Sequence, residues 1–272
     1  MNYYANKRVL ITGGASGIGK LLALKIAAAG AQVAICDIDV EGMDRVRSEA
    51  AAKGLSLLCF TTDLSRREQI DTLAGEVGKQ LGGVDILVNN AGIVTGKPFM
   101  ACSDSEIERS LAVNMHAHIW MIRAFLPGMI ERNAGHLVTI ASAAGIVGVA
   151  RLADYSATKF ACFGLDEALR GEFRQRRQRI HTTVVCPYFI NTGMFAGVKT
   201  RFSFLLPILK QERVATRIFK AVAHRRRRLL MPLLVYAVGP LRLLPVRWMD
   251  FIADLLGINR AMDQFLGRSS HD

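Results

Sequence analysis

A chain of 272 residues with 51% hydrophobic positions is long enough to bury one sizeable core, and α/β folds reach this length as a single domain. Five cysteines without CxxC spacing (Cys36, Cys59, Cys102, Cys162 and Cys186) exclude a complete disulfide framework and suit reduced thiols in the cytoplasm. A formal net charge of +12 excludes an acidic, self-solvating chain, and Met1 to Lys7 lack the apolar run of a cleaved secretion signal.

Short apolar, β-branched runs alternate with helical periodicity through the first three quarters of the chain, the pattern of a parallel sheet covered on both faces. The first strand is expected at Arg8 to Thr12, followed by Thr12-Gly13-Gly14-Ala15-Ser16-Gly17-Ile18-Gly19 and a helix opening near Gly17. Glycines at a strand-to-helix turn let the backbone approach a pyrophosphate, while the helix N-terminus offers unpaired N–H groups and a positive dipole end. The second strand, Gln32 to Asp37, ends on a carboxylate about twenty residues past the glycines, where it can accept hydrogen bonds from ribose hydroxyls and repel a 2′-phosphate. With no basic side chain at Ser16 or Ile38, the expected cofactor is NAD rather than NADP.

A helix near Glu41 leads to a third strand at Ser56 to Thr62, then Asp63-Leu64 and a helix near Arg66. The fourth strand, Asp85 to Asn89, runs into Asn90-Ala91-Gly92, and a long helix starts near Asp104. Asn114 lies inside that helix, where Asn is a poor helix former and marks a local irregularity. His116 and His118 are two residues apart, so they point in different directions on a helix and no metal is assigned.

The fifth strand, His136 to Ala141, delivers Ser142, and a helix near Asp154 carries Tyr155 and Lys159 one turn apart on one face. A phenol with a reference pKa of about 10 is a poor base at neutral pH, so the lysine charge is expected to favour its phenolate. Ser142 is expected to hold a substrate oxygen as negative charge grows on it.

The order Gly13-x-x-x-Gly17-x-Gly19, Asn89-Asn90-Ala91-Gly92, Ser142, then Tyr155-x-x-x-Lys159 resembles the short-chain dehydrogenase/reductase family over essentially the whole chain. The resemblance implies a Rossmann-type doubly wound parallel sheet and hydride transfer between a nicotinamide dinucleotide and an alcohol/carbonyl pair. It implies a catalytic set of Asn114, Ser142, Tyr155 and Lys159, with Tyr155 as acid/base. It places the cofactor on Gly13, Ala15, Ser16, Gly17, Ile18, Gly19 and Asp37, on Asp63, Leu64, Asn90, Ala91 and Gly92, and on Tyr155 and Lys159. After the sixth strand, His181 to Cys186, Pro187-Tyr188 departs from the family's Pro-Gly; Pro187, Ile190 and Thr192 are expected at the cofactor, and Tyr188 at the substrate.

From Phe189 the alternation fails, and residues 189–210 read as a lid of loop and short helical pieces, followed by a helix from Glu212 to His224. Phe195, Phe202, Phe204, Leu205, Leu206 and Ile208 give that lid an apolar lining, with Phe195 expected at the substrate. Cys186-Pro187, Asn191-Thr192-Gly193-Met194-Phe195 and Leu205-Leu206-Pro207-Ile208-Leu209, with Leu256-Gly257-Ile258 and Ala261-Met262-Asp263, are similar to the epidermal retinol dehydrogenase and 17β-hydroxysteroid dehydrogenase-like branch. The similarity implies a lipophilic retinol-, steroid- or long-chain alcohol as substrate, and a homodimer or homotetramer built through the helices near Asp104 and Asp154. The alternatives are an NADPH-linked reductase of fatty or aromatic carbonyls, or a catalytically idle, dinucleotide-sensing scaffold on membranes or nucleic acid.

Basic residues cluster at Arg174, Arg176, Arg177 and Arg179, and again at Arg225 to Arg228 beside Leu229, Leu230, Met231 and Pro232. Apolar neighbours favour lipid over nucleic acid, and the run Leu229 to Val238 is too short to span a bilayer, so peripheral membrane contact is expected. Residues 1–231 are expected to form the dehydrogenase domain, and 232–272 an amphipathic extension packed on that domain, a partner subunit or a membrane. In the extension Trp248, Met249, Ile252, Leu255 and Leu256 fall on one helix face opposite Arg247, Asp250 and Asp254.

Overall fold

Seven parallel strands in the order β3-β2-β1-β4-β5-β6-β7 form one sheet in the computed structural model, which describes residues 2–267. The strands are β1 Arg8–Thr12, β2 Gln32–Asp37, β3 Leu57–Thr61, β4 Ile86–Asn89, β5 Gly135–Ile140, β6 Ile180–Pro187 and β7 Arg228–Met231. Register runs Leu10↔Ala34 between β1 and β2, Leu10↔Leu87 between β1 and β4, and Leu87↔Leu137 between β4 and β5.

The strands read as continuous apolar runs because both faces are covered. Val9, Ile11, Val33 and Ile35 pack under α1 (Gly17–Ala28), α2 (Val40–Ala51) and α7 (Gln211–Ala223). On the opposite face Leu10, Ala34, Leu87 and Leu137 pack under α3 (Arg67–Leu81), α5 (Ala117–Glu131) and α6 (Ala153–Gln175). The chain reverses its winding between β1 and β4, and a doubly wound sheet opens its ligand crevice at that point, beyond the carboxyl ends of the strands.

The expected long helix near Asp104 is three pieces: α4 (Asp104–Leu111), a π turn at Ala112–His116, and α5. Ser103 closes the start of α4 with a capping box to Glu106. The irregularity anticipated at Asn114 is therefore a π bulge, the extra-residue turn that frees a backbone carbonyl.

Three expectations need correction. Leu229, Leu230 and Met231 are not beside a lipid surface; they are buried residues of the edge strand β7, paired with Val185, Cys186 and Pro187. Arg225 to Arg228 thus stand at the N-terminal end of that strand, where Arg225 lies over the Tyr3 ring and Arg228 pairs with Glu167. The segment 191–208 contains turns and no helix; its ends are tied where Leu209 N–H donates to the Phe189 carbonyl (2.8 Å) and Asn191 N–H to the Leu209 carbonyl (3.0 Å).

The third correction concerns the C-terminal segment. Its elements are a 3₁₀ turn at Leu233–Ala237, α8 (Val238–Leu241) and α9 (Val246–Leu255). The apolar arc of α9 is divided: Met249, Ile252 and Leu256 line a cavity, whereas Trp248 and Leu255 face outward. Ala261 and Met262 are buried against Phe189 and Val198, so the chain folds back onto the body. The last five residues of the expected extension, 268–272, lie outside the described residues. No helix among the described residues is long and apolar enough to cross a membrane.

Candidate active site

The glycine-rich turn is shaped by contacts that tolerate no side chain. A Cβ on Gly19 would lie 2.0 Å from the Gly13 carbonyl oxygen, and one on Gly14 2.4 Å from the Ile35 Cβ. Gly13 and Gly17 adopt positive φ, +66° and +53°, which favours glycine. Behind the turn, Thr12 Oγ1 accepts from the N–H groups of Asn90 and Ala91 (both 2.9 Å), while Asn90 Nδ2 donates to the carbonyls of Thr12 (2.9 Å) and Gly13 (3.0 Å). These bonds join the ends of β1 and β4 beneath the crevice; the organising role of Thr12 escaped sequence reasoning, though its position at a strand end before the first glycine was a usable signal.

Asp37 closes the far side. Its Oδ2 accepts from Ala15 N–H (3.0 Å) and its Oδ1 from the N–H groups of Ile38 (2.8 Å) and Asp39 (3.2 Å), so the carboxylate is oriented before any ligand arrives. Asp63 Oδ1 accepts from the backbone and hydroxyl of Ser65, and these bonds hold its carboxyl below the usual range against the effect of partial burial. Gly13, Ser16, Gly17, Ile18, Asp37, Asp63 and Leu64 line one cleft together with Asn90, Ala91, Gly92, Pro187, Ile190 and Thr192. Its empty volume is about 1230 Å³. Arg109 and Val113 also line it and were missed; no motif marks them, because they reach the cleft only through the packing of α4 and the π turn that follows it.

Ser142 caps a short turn after β5, its Oγ accepting from Ala144 N–H (3.1 Å), and its hydroxyl is hydrogen-bonded to the Tyr155 phenol. Lys159 is buried, donates from Nζ to the Ile140 carbonyl (3.0 Å), and lies 5.5 Å from the centre of the Tyr155 ring. Burial pushes the Tyr155 phenol up to about 12, with the Ser142 hydrogen bond acting the other way. Burial also lowers Lys159. Loss of water around the ring is the largest influence on the Tyr155 phenol and favours its protonated form.

Asn114 and Lys159 flank Gly92, where a Cβ would lie 3.1 Å from Asn114 Oδ1 and 3.4 Å from Lys159 Nζ. The amide clamps Ile93, accepting from its N–H (2.8 Å) and donating to its carbonyl (2.9 Å), which holds the segment following Gly92. The part of Asn114 that faces α6 is its main-chain carbonyl, which accepts from Cys162 Sγ at 3.1 Å.

A second cavity, with an empty volume of about 870 Å³, shares Ser142, Tyr155, Tyr188 and Phe195 with the first. Beyond that junction its wall is hydrocarbon: Ala144, Val147 and Leu152 on one side, Leu234, Val235 and Val238 on another, and the inner side of α9. Of the six apolar lid residues singled out from the sequence, only Phe195 and Leu206 line it, while Phe204 is mostly exposed. The rings of Phe195 and Tyr155 meet edge-on with centroids 6.0 Å apart. Phe189, which also lines the cavity, was missed because it lies past the end of β6 at Pro187, where no strand or helix periodicity marks it. No group of three or more His, Cys, Asp or Glu among the described residues could hold a metal ion, and His118 is buried with its ring pushed down to about 3 by loss of solvent.

Residues 7–201 match the family model described as short chain dehydrogenase. The chain is 44% identical to epidermal retinol dehydrogenase 2 of Mus musculus over 97% of its own length and 86% of the relative's. It is 35% identical to retinol dehydrogenase 10 of Homo sapiens, again over 97% and 86%. A short chain dehydrogenase/reductase from Burkholderia phymatum in complex with NAD superposes with a TM-score of 0.79 at 28% identity, over 88% of this chain and 94% of that one. A metagenomic short-chain oxidoreductase in complex with NADP does so with a TM-score of 0.68 at 29% identity, over 81% and 91%.

Proposed function

Because this chain belongs to the short-chain dehydrogenase family, we propose that it interconverts a retinol-like lipophilic alcohol and its aldehyde with NAD as hydride carrier. Oxidoreduction at a CH–OH carbon with a nicotinamide dinucleotide is its activity. The observation that carries the finer reading is the junction of the two cavities, where Ser142 and Tyr155 border both a polar cleft and a hydrocarbon-lined one.

Gly13, Ser16 to Gly19, Asp37, Asp63 and Leu64 would hold the dinucleotide, with Asn90 to Gly92, Lys159, Pro187, Ile190 and Thr192 on its nicotinamide half. The Gly17 position supports this fit, since a Cβ there would meet nothing nearer than the Thr192 methyl at 3.4 Å and the turn is open toward the cleft. A dinucleotide held there would supply the hydride exchange. Tyr155 gives its proton to the oxygen in reduction and takes one in oxidation, and Ser142 donates to the same oxygen as charge develops. Asn114 positions the segment after Gly92, and Lys159 keeps positive charge behind the phenol. Asp37 favours NAD, because its fixed carboxylate suits two ribose hydroxyls and opposes a 2′-phosphate.

Beyond Tyr188 and Phe195 the cavity has no polar lining, which favours a primary alcohol on a hydrocarbon body over a hydroxysteroid whose second oxygen would be buried unpaired. Residues 1–231 act as the catalytic body with 189–210 as its cover, and Leu234 to Ile258 of the extension complete the substrate cavity. Two or four copies associate through α4, α5 and α6, and a monomer mass by light scattering would contradict this. Contact with a lipid surface suits a substrate of this class. The decisive experiment incubates purified protein with NAD or NADP and a panel of retinol, long-chain primary alcohols and hydroxysteroids, following reduced cofactor. Turnover of retinol and long-chain alcohols with NAD is expected; turnover confined to hydroxysteroids, or to NADP, would refute it.

A further inference from the structure

Four of the described residues line both cavities: Ser142, Tyr155, Tyr188 and Phe195. A substrate whose oxygen lies against Ser142 and Tyr155, and whose body fills the hydrocarbon-lined cavity, must keep its reacting carbon at this junction. Aromatic rings in edge-on contact wall the passage. Tyr155 meets Phe195 with centroids 6.0 Å apart, Phe195 meets Phe189 at 5.1 Å, and Phe189 meets Tyr188 at 4.7 Å. Each ring supports the next, so widening the passage at one of them displaces its neighbour as well.

The main chain beneath two of these rings is pinned on both sides. Tyr188 N–H donates to the Met231 carbonyl of the edge strand β7 (2.8 Å), and the Phe189 carbonyl accepts from Leu209 N–H (2.8 Å). The Tyr188 ring therefore has little freedom to retreat by a backbone shift, and an oversized group at the junction strains the packing instead. Tyr188 also stands where the sequence departs from Pro-Gly. A glycine there would leave that side of the passage open.

A primary carbinol carbon carries one carbon substituent, which can extend into the hydrocarbon cavity. A secondary one carries two, and the second needs room on another side of the reacting carbon. We propose that the aromatic neck admits a CH2OH terminus and turns away a secondary carbinol, with Tyr188 as the side chain that decides between them. This rests on the lipophilic-alcohol reading above and adds a cause that acts at the reacting carbon itself. The absence of polar lining opposes only substrates with a second oxygen, whereas the neck also discriminates between plain hydrocarbon alcohols.

The test compares 1-decanol with each enantiomer of 2-decanol, which share a hydrocarbon body and carry no second oxygen, on wild type, Tyr188→Gly and Tyr188→Phe. Turnover with NAD gives the ratio of kcat/KM values; calorimetric titration of each alcohol onto protein saturated with reduced dinucleotide gives the comparison without turnover. Wild type is expected to favour 1-decanol. Tyr188→Gly should lower that preference by about tenfold or more through a gain on 2-decanol, and Tyr188→Phe, which keeps the ring, should preserve it. Dinucleotide titration shows that each variant is folded, and Tyr188→Ala replaces the glycine variant if that one is not. Equal use of primary and secondary alcohols by wild type, or loss of the preference in Tyr188→Phe, would overturn the proposal. Turnover of 1-decanol with an unchanged ratio in Tyr188→Gly or Tyr188→Ala sinks the neck alone. Failure of every protein to bind or turn over either alcohol sinks the lipophilic-alcohol reading and the neck with it.

Discussion

Cys162 Sγ donates to the main-chain carbonyl of Asn114 across 3.1 Å, three residues after Lys159 in α6. The carbonyl is available because the π turn at Ala112–His116 interrupts the ordinary helical ladder. A buried carbonyl stripped of its donor is expensive, so Cys162→Ala should destabilise the protein by about 1–3 kcal/mol, read as a lower denaturant midpoint. Cys162→Ser keeps a donor at the position and should recover most of that loss. Equal destabilisation by both replacements would show that the contact is only packing.

Tyr155→Phe removes the phenol beside Ser142 at the junction of the two cavities and should lower kcat/KM by about 10²–10⁴-fold, the usual contribution of a positioned acid/base group. Dinucleotide affinity, followed by fluorescence, should change little. Since burial pushes this phenol up to about 12, it stays protonated through neutral pH. Alcohol oxidation, which needs a proton acceptor, should keep rising with pH, whereas a plateau reached below about pH 8 would contradict a burial-dominated phenol.

The carboxylate of Asp37 accepts three backbone N–H groups and is already aimed at the crevice. Asp37→Ala removes both the charge and the acceptor for ribose hydroxyls, so NAD affinity should fall by about tenfold or more while NADP affinity rises. Isothermal titration of both dinucleotides against both proteins measures the change. A wild-type preference for NADP would invert the expectation.

Asp166 is buried on α6, bonded to Thr182 (3.2 Å) and paired with Arg170, and burial raises its carboxyl to about 6 despite the arginine. A carboxyl whose folded pKa exceeds its unfolded value favours the folded state while protonated. That contribution is complete below about pH 4, the unfolded value, and disappears as pH rises through about 6. Asp166→Asn should therefore gain on wild type between pH 4 and 7, by on the order of 1–3 kcal/mol in unfolding free energy. A pH-independent difference between the two proteins in thermal melts would contradict the raised carboxyl.

The parts of this molecule that were legible in the sequence are those fixed by local chemistry. Strands buried on both faces announce themselves as apolar runs, and Gly13, Gly17 and Gly19 record where backbone must approach backbone. Asn114 was legible as a helix anomaly, but which of its groups faces α6 depends on the π turn, which spacing does not reveal. Arg228 to Met231 failed for a different reason: four residues between an arginine run and Pro232 carry too little periodicity to identify a strand, and only pairing with β6 defines them. The divided arc of α9 was similarly hidden, because helical spacing shows that Trp248 and Ile252 share an apolar side but not where the cavity ends along it.

Much of the cavity wall, Leu234 to Ile258, follows residue 201, where the match to the family model ends. On the substrate reading proposed above, part of what shapes acceptance is therefore separate from the stretch that exchanges hydride. Exchanging these tails between relatives would be expected to transplant preference while leaving the nucleotide machinery alone, and the two halves are free to diverge at different speeds.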